Sequence, residues 1–182
     1  MRIETERLII RDWEPRDAAA FAQINADPEV RRYYFPSVLT PAQSDEVIAD
    51  CMVHNARHGF AFLAVERRSD GALVGGAGLS HTDELPTGPA VEIGWILGHQ
   101  FWRQGFASEA SHAWFDWAWA HGLTEIVGYT SAINTPSRRI MESLGMRRNP
   151  ANDFEDLSVP QGNALRPHVL YRIAKPIPAA PR

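Results

Sequence analysis

Cys51 is the one cysteine among 182 residues, so no internal disulfide framework exists and a reducing compartment is expected. Positive charge is not in excess. The formal net charge of −4 argues against a nucleic-acid partner. No apolar run approaches the ~20 residues of a membrane span, and the first residues lack the apolar segment of a secretion signal. A cytoplasmic protein with no membrane partner is expected. Repeats and low-complexity tracts are missing too, apart from a Pro-rich run over 176–182 that reads as a flexible tail. What is left has ordinary globular proportions, 45% hydrophobic and 22% charged, and one domain over 1–175 is expected.

The common phosphate loops are also missing. A Walker loop needs Gly-Lys-Ser/Thr, whereas Gly105 is followed by Phe106 and Ala107. A dinucleotide fingerprint needs three spaced glycines between a strand and a helix. The Gly75-Gly76-Ala77-Gly78 cluster lies inside a strand-like run instead. No carboxylate cluster suggests a metal site for nucleotide chemistry.

One segment does carry a phosphate-site signal. The strand-like run Val91–Leu97 is followed by Phe101-Trp102-Arg103-Gln104-Gly105-Phe106-Ala107-Ser108-Glu109-Ala110. Strand, glycine turn and helix start leave unpaired backbone N–H groups at the positive end of a helix dipole, which suits a phosphate or pyrophosphate. Gly105 permits close backbone approach, while Ala107 and Ser108 are small. Plain packing is the competing reading of such a glycine.

Around this segment the periodicity predicts mixed α and β. Strands are expected over 7–13, 60–66, 72–79, 91–97, 125–130 and 169–174, and helices over 17–26, 40–57, the stretch after Gly105, and 134–144. Thr40-Pro41 and Gly59 bracket the second helix. The third should bury Ala107, Ala110, Ser111, Trp114, Phe115 and Ala118.

Three separated motifs resemble the GNAT N-acyltransferases, and within them the branch containing the ribosomal-protein N-terminal acetyltransferases. They are Glu92-Ile93-Gly94-Trp95-Ile96-Leu97 with Phe101-Trp102 and Gly105–Ala110, then Asn134-Thr135-Pro136-Ser137 with Leu144-Gly145-Met146, and the opening Glu4–Arg11. Trp102 departs from the usual Gln or Arg of the loop, and Met141 stands where many members carry a tyrosine. The resemblance implies an α+β fold: a curved, mostly antiparallel sheet of about six to seven strands, with a splayed central parallel pair and about four helices. It implies acetyl-CoA as co-substrate, no metal, and an amine acceptor, either a protein N-terminus or a small molecule. Its pyrophosphate would meet Arg103, Gln104, Gly105, Phe106, Ala107 and Ser108. Main-chain groups of Ile96 and Leu97, with Asn134, would hold the pantetheine arm.

An alkyl amine is mostly protonated at neutral pH, so acetylation needs a proton acceptor, an oxyanion donor and a proton for the leaving thiolate. Glu92, on the strand face opposite Val91 and Ile93, is the candidate base; the alternative is a strand carboxylate paired with an arginine. With tyrosine absent at Met141, Ser137 is the candidate donor to sulfur, or else a first-turn serine satisfying backbone groups. Asn134 also reads as a plain N-cap.

Cys51, mid-helix, reads as a small buried apolar residue, so an acyl-enzyme route is not expected. His54 and His58 share a helix face but read as a solvated pair, and His112 and His121 as surface groups. Tyr33, Tyr34, Phe35 and Trp95 could line an acceptor pocket that His168 could reach, with Asp83 and Glu84 in a loop facing a cation. The competing functions are a catalytically silent acyl-CoA-binding module and a nucleotide enzyme. A homodimer is possible.

Overall fold

Two short strands, β1 (Arg2–Glu4) and β2 (Leu8–Arg11), pair antiparallel as the chain begins. The structure is a computed structural model describing residues 1–83 and 85–177. After a 3-10 turn come α1 (Ala18–Ala26) and α2 (Pro41–His58). Thr40 starts α2 with a reciprocal box: its hydroxyl accepts from the Gln43 N–H, and the Gln43 side chain accepts from the Thr40 N–H at 2.9 Å. Gly59 ends the helix in the left-handed region. The order continues β3 (Phe62–Arg67), β4 (Leu73–Thr82), β5 (Ala90–Leu97), α3 (Phe106–Ala120), β6 (Glu125–Ser131) and α4 (Thr135–Ser143). It closes with β7 (Arg147–Arg148), β8 (Phe154–Glu155) and β9 (Pro167–Ala174).

Among the described residues nine strands form one sheet in the order β1-β2-β3-β4-β5-β6-β9-β7, with β8 also on β9. The count exceeds the expected six to seven because β1, β7 and β8 are two or three residues long. So short a strand has no alternation to read. Every pairing is antiparallel except β5 with β6, which share the single register pair Glu92↔Val127. Beyond that pair the two strands part, so a splay opens toward their C-terminal ends. Helix α3 crosses the sheet beside it. All six residues expected on its inner face are buried, and Phe106 joins them. The Trp114 indole N–H donates to the Ala77 carbonyl at 3.1 Å and ties α3 to β4.

The β4 glycines are there for close approach. A Cβ at Gly78 would lie 2.1 Å from the Ala61 carbonyl oxygen. Gly78→Ala should therefore destabilise the fold by about 1–3 kcal/mol, the usual cost of overpacking. Thermal unfolding checks this, with a fall of roughly 2–4 °C expected per kcal/mol. At the other end of the sheet, buried Arg11 makes paired hydrogen bonds to Asp17 at 2.7 and 2.9 Å, and to Glu66 at 2.8 Å. Burial alone would raise the Asp17 carboxyl, but the Arg11 and Glu14 hydrogen bonds hold it below its ordinary value. No helix among the described residues is long and apolar enough to cross a membrane.

Candidate active site

The start of α3 follows the C-terminal end of β5, and the start of α4 shares a cavity with Glu92 and Trp95 of that same strand. Arg103, with φ 59°, and Gly105, with φ 81°, both adopt left-handed backbone before α3 begins at Phe106. No side chain caps this helix. Among the described residues the backbone N–H groups of Arg103, Gln104, Gly105, Phe106, Ala107 and Ser108 have no protein acceptor. Unpaired N–H groups at a helix start are the kind of group that an anion can satisfy. Phe106 and Ala107 are buried, Ser108 is half-buried, and Arg103 is exposed.

This turn is held by the start of the chain. Arg7 pairs with Glu109 at 2.6 Å and donates to the Gln104 carbonyl at 2.9 Å, while its guanidinium lies over the Phe106 ring at 4.8 Å. Thr5 and the Arg7 main chain also donate to the Glu109 carboxylate, at 2.5 and 2.9 Å. Burial would raise the Glu109 carboxyl, but these donors hold it below the ordinary range. A carboxylate in the first turn is thus neutralised, and the opening Glu4–Arg11 motif has a physical task. Sequence reasoning missed the Arg7–Glu109 pair because no local pattern links residues 102 positions apart.

Strand backbone groups alternate sides. The Gly98 N–H bonds Val74 on β4, whereas the Leu97 carbonyl accepts from the Trp102 indole at 2.8 Å and the Trp95 carbonyl faces the Tyr34 hydroxyl. Leu97 and Trp95 therefore turn their main chains to the splay. Ile96 turns its own toward β4, where it pairs with Gly76, which differs from the sequence expectation of an open main chain there.

At the start of α4, Asn134 is buried and caps the helix, its Oδ1 accepting from the Ser137 N–H at 3.3 Å. Its amide donates to the hydroxyls of Thr130 at 2.8 Å and Ser137 at 3.1 Å. A Ser137 oxygen that accepts in this way keeps its own hydrogen to donate.

A cavity of about 280 Å³ brings Glu92, Asn134 and Ser137 together with Tyr33, Tyr34, Phe35 and Trp95. Glu92 is half-buried on its wall, and Met141 is buried at its edge. The Tyr34 hydroxyl is pushed above its ordinary pKa by burial, with the Glu92 charge adding to the shift. His168 lines the cavity as well, 3.9 Å from Asp156. Tyr129 of β6 lines it too, as do Asp156, Val159 and Leu165, which the sequence does not announce because the 156–166 stretch lacks any period. Asp83 does not line the cavity, and Glu84 lies outside the described residues.

Other candidates stand apart. Cys51 is half-buried against the α1 cluster, and burial pushes its thiol up to about 12, a poor nucleophile. His58 is exposed and His54 half-buried; their rings lie 4.5 Å apart and His81 packs 4.5 Å from His58. No group able to hold a metal is found among the described residues. His121 stacks on Trp117 at 4.0 Å.

An open, mostly antiparallel sheet splayed beside an uncapped helix start is the architecture of an acyltransferase. The acetyltransferase (GNAT) domain profile matches residues 7–147, and the chain belongs to that family. It is 28% identical over 179 residues to the uncharacterized N-acetyltransferase YnaD of Bacillus subtilis (strain 168), covering 95% of this chain and 96% of the other. A GNAT-family acetyltransferase from Bacillus anthracis superposes with a TM-score of 0.77 at 27% identity, over 96% and 98% of the two chains. The ribosomal-protein-S5-alanine acetyltransferase of Vibrio fischeri shares the fold, with a TM-score of 0.67 at 18% identity over 96% of each.

Proposed function

We propose that the protein transfers the acetyl group of acetyl-CoA directly to a primary amine. The observation that carries this reading is an uncapped helix start at 103–108 directly after β5, the strand whose Glu92 lines a cavity with Ser137. Acetyl-CoA fits the residues present: six unsatisfied N–H donors for the pyrophosphate, and the Leu97 main chain and Asn134 along the open edge of β5 for the pantetheine arm. Its thioester supplies an activated acyl group, so no metal is required.

Glu92 takes a proton from the incoming ammonium, directly or through water, and leaves a neutral nucleophile. The amine nitrogen forms its bond to the acyl carbon and the carbon–sulfur bond breaks. The Leu97 N–H polarises the acyl oxygen, and the Ser137 hydroxyl donates a hydrogen bond to the departing sulfur. The second proton of the nitrogen passes through water to the departing thiolate, which becomes the CoA thiol, and the proton held by Glu92 is released to solvent. Cys51 takes no part, since its thiol lies far from the thiolate state.

An amide product of unchanged acyl length and one equivalent of free CoA thiol are expected when the protein, acetyl-CoA and a primary amine are mixed. Thiol release read with a chromogenic disulfide checks both turnover and stoichiometry. Binding of acetyl-CoA without thiol release from any amine would instead support a silent acyl-CoA-binding module. The GNAT membership also makes a protein N-terminus a possible acceptor class, in the manner of the ribosomal-protein acetyltransferase that shares the fold.

A further inference from the structure

The acceptor side of the pocket has a distinctive chemistry. Two carboxylates, Glu92 and Asp156, line it, and among the described lining residues there is no lysine or arginine. The arginines beside lining residues in sequence have partners of their own. Arg31 donates to the Ser37 and Pro36 carbonyls and to Asn25, Arg32 to Glu29, Arg138 to the Ala132 carbonyl and the Tyr171 hydroxyl, and Arg166 to Glu155 and the Val159 carbonyl. His168 is the one lining group that can gain positive charge, and Asp156 stands beside it at 3.9 Å. Among the described residues no lysine or arginine lines the cavity itself to meet an anionic group on the acceptor, although the Arg31 and Arg32 guanidiniums lie against its tyrosines.

The remaining walls are aromatic: Tyr33, Tyr34, Trp95 and Tyr129. Arg31 and Arg32 lie over Tyr34 and Tyr33, at 4.6 and 5.1 Å from the ring centroids, so one face of each ring is already covered by a guanidinium. Such walls favour an apolar or aromatic body and a cationic head. The cavity, about 280 Å³, is at the small end of ligand pockets. Its interior has space for one ring and a short amine arm.

We infer that the acceptor is a small arylalkylamine: an aromatic ring on a short chain, ending in a primary ammonium with no carboxylate next to it. This rests on the amine-acetylation reading above and names its substrate class. The ammonium is drawn toward Glu92 and Asp156, the ring packs among the tyrosines and Trp95, and an α-carboxylate at the same depth is repelled.

The test compares 2-phenylethylamine with phenylalanine, which differs only by the α-carboxylate, in the thiol-release assay at alkaline pH, where a histidine side chain is neutral. Ethylamine and a tri-alanine peptide complete the panel. The expected kcat/KM for 2-phenylethylamine is at least tenfold above each of the others. In Asp156→Asn the gap against phenylalanine narrows while the gap against ethylamine persists, a split that general unfolding would not produce. Phenylalanine or ethylamine turned over as well as 2-phenylethylamine overturns the inference, and so does preference for the peptide. If no amine turns over, the acceptor class falls, and calorimetric titration with acetyl-CoA then tells whether the underlying reading falls with it.

Discussion

Gly105→Glu should abolish acetyl-CoA binding while leaving the fold in place. The mutation puts a carboxylate among the unpaired backbone N–H groups of 103–108, where the proposal seats the pyrophosphate, at a residue with φ 81°. Two like charges a few ångströms apart near a protein surface repel by about 3–4 kcal/mol. That corresponds to a loss of more than a hundredfold in affinity. Backbone strain contributes as well, because a side chain in the left-handed region costs about 1–3 kcal/mol. A Cβ would also come 3.3 Å from the Arg7 guanidinium, which now steadies the loop through Glu109 and the Gln104 carbonyl. Gly105→Ala separates the causes, since it carries the strain without the charge. Calorimetric titration of both variants should find weakened binding for alanine and none for glutamate. Equal affinity in glutamate and wild type would remove the anion from this loop.

The second large effect belongs to Glu92→Gln. General acid–base groups contribute roughly 10²–10⁴-fold to rate. A loss of that order in kcat/KM for the amine is expected near neutral pH, with acetyl-CoA affinity unchanged. The pH dependence carries the diagnostic weight. An alkyl amine has an ordinary pKa near 10, so its neutral fraction grows roughly tenfold per pH unit below that. The deficit of the variant should therefore shrink steadily as pH rises, because solvent then does the work of the missing carboxylate. A variant whose pH–rate profile runs parallel to the wild type would make Glu92 an ordinary residue of the β5 wall.

Much of this was legible in the chain because local physics fixed it. Thr40-Pro41 and Gly59 mark the ends of α2 by caps that need only neighbouring residues. The inner face of α3 follows from its 3.6-residue period, and every residue expected there is buried. Gly105 before a helix, and Asn134 with Ser137 before another, announce two helix starts, although nothing local places both beside β5. That placement depends on β5 and β6 lying parallel and then parting, a property of sheet topology. The opening motif resembled a family strand without disclosing that Arg7 and Thr5 grip Glu109 across the molecule. Ile96 and Leu97 are adjacent and equally apolar, and only the Gly98–Val74 hydrogen bond, with the alternation that follows from it, tells which main chain faces away from β4. Asp156 and Leu165 come from an irregular stretch, so their place in the pocket has no periodic trace.

The central claim is that the start of α3 and the splay beside it hold acetyl-CoA. Calorimetric titration of the wild-type protein tests it most directly. The account predicts saturable one-to-one binding of acetyl-CoA with a Kd on the order of micromolar, about −8 kcal/mol. Absence of binding by acetyl-CoA and by longer acyl-CoAs alike would contradict it.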